Sequence, residues 1–214
     1  MGGVVGNVRT HVNTASSKSA ILLLGAPGAG KGTQGETIGQ LPGFFHCASG
    51  DIFRALDKES ELGQKVAEYS NAGNLVPDEI TLEIVENQLN AWVEDGSYNP
   101  EKETLILDGI PRTVNQAKLI SKFVDIKRVI HLSCPDYDAL LVRMKKRALD
   151  KGRPDDAQEE VIRNRFSVYE AETKPILEFY GEEQITTIDA QQAPIQVLHE
   201  FSSAVVEHQL FKAL

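Results

Sequence analysis

Lys31 follows Gly25-Ala26-Pro27-Gly28-Ala29-Gly30, and this Gly-x-x-x-x-Gly-Lys spacing is the clearest pointer to chemistry in the chain. Small residues ahead of one cation let backbone N–H groups turn inward around an anion, while the lysine supplies a full positive charge. The preceding run Ala20-Ile21-Leu22-Leu23-Leu24 reads as a buried strand, too short and too abruptly broken for a helix. Residues 31–41 read as a helix, whose N-terminus adds partial positive charge at the loop. That context marks a loop that cradles phosphate, not one that merely turns the chain. One position departs from the general pattern. Gly32 stands where a Ser or Thr hydroxyl would meet magnesium, and Thr33 comes one residue later. A GTPase or motor ATPase that holds its metal with that hydroxyl is poorly served here.

Other residues complete a phosphate chemistry. Asp108 closes the run Thr104-Leu105-Ile106-Leu107, at the carboxyl end of a strand, where open α/β sheets place their sites. A carboxylate there can act on magnesium, directly or through its waters. Arg143, Lys145, Lys146 and Arg147 share one face of a helix whose other face carries Leu140, Leu141, Met144 and Ala148. Arg153 lies in the turn Gly152-Arg153-Pro154-Asp155-Asp156, and Arg165 on the helix that resumes after it. Arg54 follows Ser49, which reads as a helix cap. Arginine suits phosphate because its planar fork engages two oxygens and keeps its proton. His46 and Cys47 have no ligand-spaced partner and read as core residues.

The elements that must position these groups alternate. Strands are predicted at 20–24, 44–48, 104–108, 127–132 and 185–188. A polar helix is predicted at 59–73, and Ile80, Ile84, Val85, Leu89, Trp92 and Val93 mark the next. Val114, Ala117, Ile120, Phe123 and Val124 mark another, Pro135 starts one, Pro175 kinks or restarts one that Gly181 ends, and Pro194 opens the last. This alternation predicts a parallel sheet covered on both faces, with right-handed crossovers. Residues 49–78 and 148–158 sit outside it, and residues 1–19 read as a loose tail.

With 214 residues, 41% hydrophobic and 25% charged, the chain is an ordinary globular domain with one core. Its net charge of −9 argues against coating nucleic acid or an anionic membrane, so a phosphate site has to be a local concentration of arginine. Two distant cysteines and no apolar run near the length of a membrane span set the expectation of a reduced, cytoplasmic protein. Within 1–19 only Arg9 and Lys18 are basic and no amphipathic face forms, weak support for organellar import.

Five motifs in order resemble the adenylate kinases, among the nucleoside-monophosphate kinases: the Gly-Ala-Pro-Gly-Ala-Gly-Lys-Gly-Thr-Gln loop, Ser49-Gly50-Asp51-Ile52-Phe53-Arg54, Gly73-Asn74-Leu75-Val76-Pro77-Asp78, Asp108-Gly109-Ile110-Pro111-Arg112-Thr113, and Gly152 to Asp156. The resemblance spans residue 20 to the C-terminus. It implies a P-loop NTPase-like α/β fold over 20–214, a five-stranded parallel sheet with a monophosphate-binding insert at 49–78 and a short lid at 148–158. It also implies reversible transfer from MgATP to AMP, giving two ADP, by a monomer. Lys31 would hold the donor phosphates above the backbone of Gly28, Ala29, Gly30, Gly32 and Thr33, with Arg143 on the donor adenine. Arg54 and Arg112 would grip the AMP phosphate, and Ser49, Val76, Gly109 and Gln116 would surround the acceptor nucleotide. Arg147, Arg153 and Arg165 would approach the transferring group, and Asp108 would organise Mg2+ through water. No cysteine lies between 135 and 214, so no structural zinc is expected.

Three departures stand out. Ile110 replaces a common aromatic residue, Ser49 a common Thr, and the segment from Asp156 to Arg165 is one residue longer than the family pattern. Two alternatives stay open: a UMP/CMP kinase, distinguished by its acceptor, and a catalytically silent nucleotide-sensing regulator. The regulator predicts losses at charged positions, yet Lys31, Arg54, Asp108, Arg112, Arg153 and Arg165 are all present.

Overall fold

The computed structural model describes residues 18–152 and 156–212; most of the predicted tail, and Arg153 of the expected lid, lie outside the described residues. Five parallel strands form one sheet: β1 (Lys18–Gly25), β2 (Phe44–Ala48), β3 (Thr104–Asp108), β4 (Val124–Ser133) and β5 (Ile185–Asp189), in the order β2-β3-β1-β4-β5. Strands buried on both faces need near-continuous apolar runs, which is why β1 reads Ala-Ile-Leu-Leu-Leu. Its side chains alternate between two apolar clusters, one on each face of the sheet, where the sequence predicts a single core. Ile21 and Leu23 face one cluster with α1 (Lys31–Gly39), α6 (Tyr137–Lys151), α7 (Glu159–Val168) and α9 (Pro194–Glu207). Ala20, Leu22 and Leu24 face the other, with α2 (Ser49–Ala55), α3 (Glu61–Asn71), α4 (Asp78–Glu94), α5 (Val114–Ile120) and α8 (Ile176–Tyr180). No described helix is long and apolar enough to cross a membrane.

Several boundaries differ from expectation. β1 begins at Lys18, so Lys18 and Ser19 belong to the sheet and not to the predicted tail. Phe123 and Val124 are not helical: α5 stops at Ile120, and Val124 opens β4 by pairing with Lys18. Pro135 precedes α6, which is capped instead by Asp136, whose carboxylate accepts from Ala139 N at 2.9 Å. Ser49 is the first residue of α2, not its cap; its buried hydroxyl has no partner among the described residues.

β1 lies between β3 and β4, so the chain runs to opposite sides of the sheet from its centre. The crevice at the carboxyl ends of these strands is where such a topology opens a binding site.

Candidate active site

A cavity of about 650 Å³ opens at those carboxyl ends. Its floor is the loop from Gly25 to Gly30. Gly28 has φ +85°, and a Cβ there would stand 3.0 Å from the Leu140 carbonyl and 3.1 Å from Met144 Cγ. The loop therefore lies directly on α6, and no side chain fits beneath it. Lys31 opens α1 and folds back over the loop, donating from Nζ to the carbonyls of Gly25 (2.7 Å) and Ala26 (3.1 Å). Burial pulls its pKa down to about 8, helped by the positive charges of Arg112, Arg147 and Arg165 and opposed by Asp108.

Asp108 ends β3 and is paired with Leu23 of β1. Burial pushes its carboxyl upward, but the imidazole of His46 and the charges of Lys31 and Arg112 outweigh this and hold it below the ordinary range. A Cβ at Gly32 would lie 3.5 Å from Asp108 Oδ2, so glycine leaves the carboxylate facing the loop at the position where other phosphate loops place a hydroxyl. Among the described residues no cluster of three His, Cys, Asp or Glu could hold a metal ion. Asp108 is suited to act on a phosphate-bound cation and not to cage one.

Around the rim stand Arg54, Arg112, Arg143, Lys146, Arg147 and Arg165, so with Lys31 the wall carries seven cationic residues against four acidic ones, on a chain whose net charge is −9. Burial lowers the Arg112 guanidinium to about 10, reinforced by Arg165, Arg54 and Arg147 and opposed by Asp108. Asp156 organises two of these cations. Fully buried, it accepts from Arg147 Nε at 2.7 Å on one oxygen and from Arg165 Nη1 at 2.6 Å on the other, joining α6 to α7. Arg143 Nη1 donates to the Ala190 carbonyl at 2.8 Å, which fixes it against the segment joining β5 and α9.

The wall around Arg112 is held by side chains. Gly109 has φ +81°, and a Cβ there would lie 2.7 Å from Ser49 Oγ and 3.1 Å from Arg112 Nη2. Arg112 N donates to Gln116 Oε1 at 2.7 Å, and Gln116 Nε2 donates to Asp78 Oδ1 at 2.8 Å. The other Asp78 oxygen accepts from Thr113 Oγ1 (3.1 Å) and Asn115 Nδ2 (2.8 Å). Asn164 on α7 reaches the segment between α3 and α4, donating to the Ala72 carbonyl and to Asn74 Oδ1, each at 2.9 Å. Arg54 pairs with Asp51.

Of the residues the sequence singled out, Gly28, Ala29, Gly30, Lys31, Gly32, Thr33, Arg54, Asp108, Gly109, Arg112, Arg143, Arg147 and Arg165 line the one cavity. Ser49, Val76 and Gln116 do not; all three are buried, Ser49 against Gly109 and Gln116 against Arg112 N. Cys47 is a core residue as expected, its thiol pushed up to about 12 by burial. His46 is not. It lines the cavity, with Nε2 at 3.8 Å from Asp108 Oδ2 and without a hydrogen-bond partner among the described residues. Sequence reading also passed over the tethering roles of Asp78, Asp156 and Thr173. Asp78 and Asp156 sit in motifs it did mark, and nothing local announces that they accept from arginines or amides.

The family model for adenylate kinase matches residues 23–185. The chain belongs to the adenylate kinase family. It is similar to the adenylate kinase of Mycobacteroides abscessus, 37% identical over 186 residues that cover 86% of this chain and 98% of that one. The adenylate kinase of a Cyanothece species is 36% identical over 192 residues, covering 86% and 94% respectively. That of Prochlorococcus marinus is 39% identical over 169 residues, covering 76% and 83%. For an adenylate kinase-family chain the glycine at position 32 and the arginine-rich rim are parts of a single arrangement, the cavity just described.

Proposed function

We propose that the chain catalyses reversible phosphoryl transfer from MgATP to AMP, yielding two ADP. The observation that carries this reading is the convergence of Lys31, Arg112, Arg147 and Arg165, each raising the cost of charge on another, around one cavity at a helix N-terminus. A polyphosphate relieves that repulsion, and two nucleotides placed end to end supply one. The names of the relatives select adenine nucleotides.

In this reading Lys31 and the backbone N–H groups of the loop hold the donor's β- and γ-phosphates, and Arg143 lies on the donor base. Arg54 and Arg112 hold the acceptor phosphate. Arg147 and Arg165, set by Asp156, neutralise charge on the group in flight, with Arg153 from the lid turn. Ser49 and Gln116 supply the polar contacts to the acceptor base, beside Val76 and Gly109, once the wall around Arg112 opens. Asp108 would hold the hydration shell of Mg2+ across Gly32, where the ion would supply positive charge that offsets the phosphates. No side chain has to act as nucleophile. The protein's work is in-line positioning and exclusion of water, which would otherwise accept the phosphoryl group. The reading includes a monomer acting in the cytoplasm.

The test is ADP formation from MgATP with AMP, UMP, CMP, GMP or no acceptor in parallel. Turnover with AMP well above the others is expected. A preference for UMP or CMP would overturn the acceptor assignment, and no turnover with any acceptor while ATP still binds would overturn catalysis.

A further inference from the structure

Between α7 and α8 the chain changes from one face of the sheet to the other. Ile162, Phe166 and Tyr169 pack in the cluster shared with α6 and α9, whereas Ile176 packs in the opposite one. The crossing is made by a π-helical turn, Tyr169–Thr173, closed by a bond from Lys174 N to the Tyr169 carbonyl at 2.9 Å, and followed by Pro175. Such turns inside α-helical runs recur at functional positions, because they redirect side chains at the expense of regular pairing. Here the turn runs along the cavity, and both Tyr169 and Thr173 line it.

A helical threonine ordinarily bonds a carbonyl one turn back on its own helix. Thr173 Oγ1 instead donates to the carbonyl of Arg112 at 2.8 Å, across 61 positions of sequence. The other described bonds of Arg112 come from its own loop and from α5: its N–H to Gln116 Oε1, and its Nε to the Gly109 carbonyl at 2.7 Å. Both partners lie within four positions of Arg112 in sequence. The Thr173 bond ties Arg112 to the helical run that carries Arg165.

We infer that Thr173 is a positioning residue for phosphoryl transfer, whose hydroxyl fixes the Arg112 backbone so that the Arg112 and Arg165 guanidinium groups keep one spacing. This rests on the reading of Arg112 as a phosphate-holding residue. Thr173 is itself nearly buried, so removing the donor leaves the Arg112 carbonyl without that partner and lets the loop shift.

The experiment compares Thr173→Val, which keeps the shape and loses the hydroxyl, with Thr173→Ser, which keeps the hydroxyl and loses a methyl. Both are measured by steady-state kinetics with MgATP and AMP, beside their melting temperatures. Thr173→Val is expected to lower kcat about tenfold with KM for ATP within about twofold of wild type. Thr173→Ser is expected to stay within about threefold of wild type, since the donor remains. In an Arg112→Ala background Thr173→Val should cost no more than about a further factor of two, because the group it positions is gone. Loss in Thr173→Ser with retention in Thr173→Val would assign a packing role and overturn the inference, as would wild-type kcat in Thr173→Val or an equal loss in both backgrounds. If Thr173→Val does not fold, Thr173→Ser and Thr173→Ala carry the comparison, and equal kcat for the two overturns the inference. Full activity in Arg112→Ala alone would instead overturn the reading beneath it.

Discussion

On the loop side the cavity is made of main chain, and on the side around Arg112 it is made of side chains that hold one another. The loop from Gly25 to Gly30 rests on α6 with no room for a Cβ at Gly28, and Lys31 is fixed by two carbonyls of that same loop. Across the cavity, Asp78 accepts from Thr113, Asn115 and Gln116, Gln116 accepts from Arg112 N, and Thr173 donates to the Arg112 carbonyl. A main-chain cradle fails by steric exclusion at single positions. A side-chain lattice fails by propagation, since each removed partner frees the next. In the proposed function the first geometry holds one nucleotide rigidly, and the second opens to admit and release the other.

The sharpest way to break this contrast is Gly28→Ala. Positive φ and the contacts with Leu140 and Met144 should together cost about 2–3 kcal/mol of stability. Displacing the loop should lower kcat/KM for ATP roughly a hundredfold. KM for AMP should stay near wild type, and the two substrates are separated by initial-rate kinetics with each varied in turn. Asp78→Ala attacks the other side. It leaves three donors without their acceptor, and KM for AMP should rise about tenfold while KM for ATP holds. If Gly28→Ala and Asp78→Ala moved both substrates alike, the two sides would not be independent and the contrast would fall.

A smaller effect sharpens the role of Lys31. Because burial holds its pKa near 8, kcat/KM for ATP should decline above about pH 8, by up to about tenfold per unit, as the free enzyme loses the ammonium. The limb in kcat should lie at higher pH, since bound phosphates favour the charged form. Stability moves the other way. The folded pKa lies below the ordinary 10.5, so the buried charge costs stability below about pH 8, and that cost fades as pH rises from 8 to 10.5. Activity lost above pH 8 while this contribution to the melting temperature improves would separate the titration from unfolding.

The same contrast explains what the sequence disclosed. The loop, β2 and β3 were legible because each is local: a short apolar run stopped by glycine, or followed by a charge at the strand's end. β4 begins three residues before its expected start because Asp125, Lys127 and Arg128 interrupt its apolar pattern, and a register shift between Ala20 and Ile21 of β1 breaks the alternation further. Phe123 falls at helical spacing from Ile120 by coincidence, yet it lies beyond the end of α5. Ser49 has a capping residue's chemistry, yet α2 begins one residue early and leaves the hydroxyl buried against Gly109. Asp78 and Thr173 join residues 35 to 61 positions apart, and Asp156 meets arginines nine positions away on two different helices, so no local period encodes which carboxylate meets which partner.

The most direct test of the central claim is single-turnover transfer in Arg112→Ala preloaded with MgATP and AMP. If Arg112 acts on charge that develops as the phosphoryl group moves, transfer should slow roughly a hundredfold to a thousandfold, with the melting temperature little changed. Transfer at the wild-type rate from the loaded complex would contradict the account.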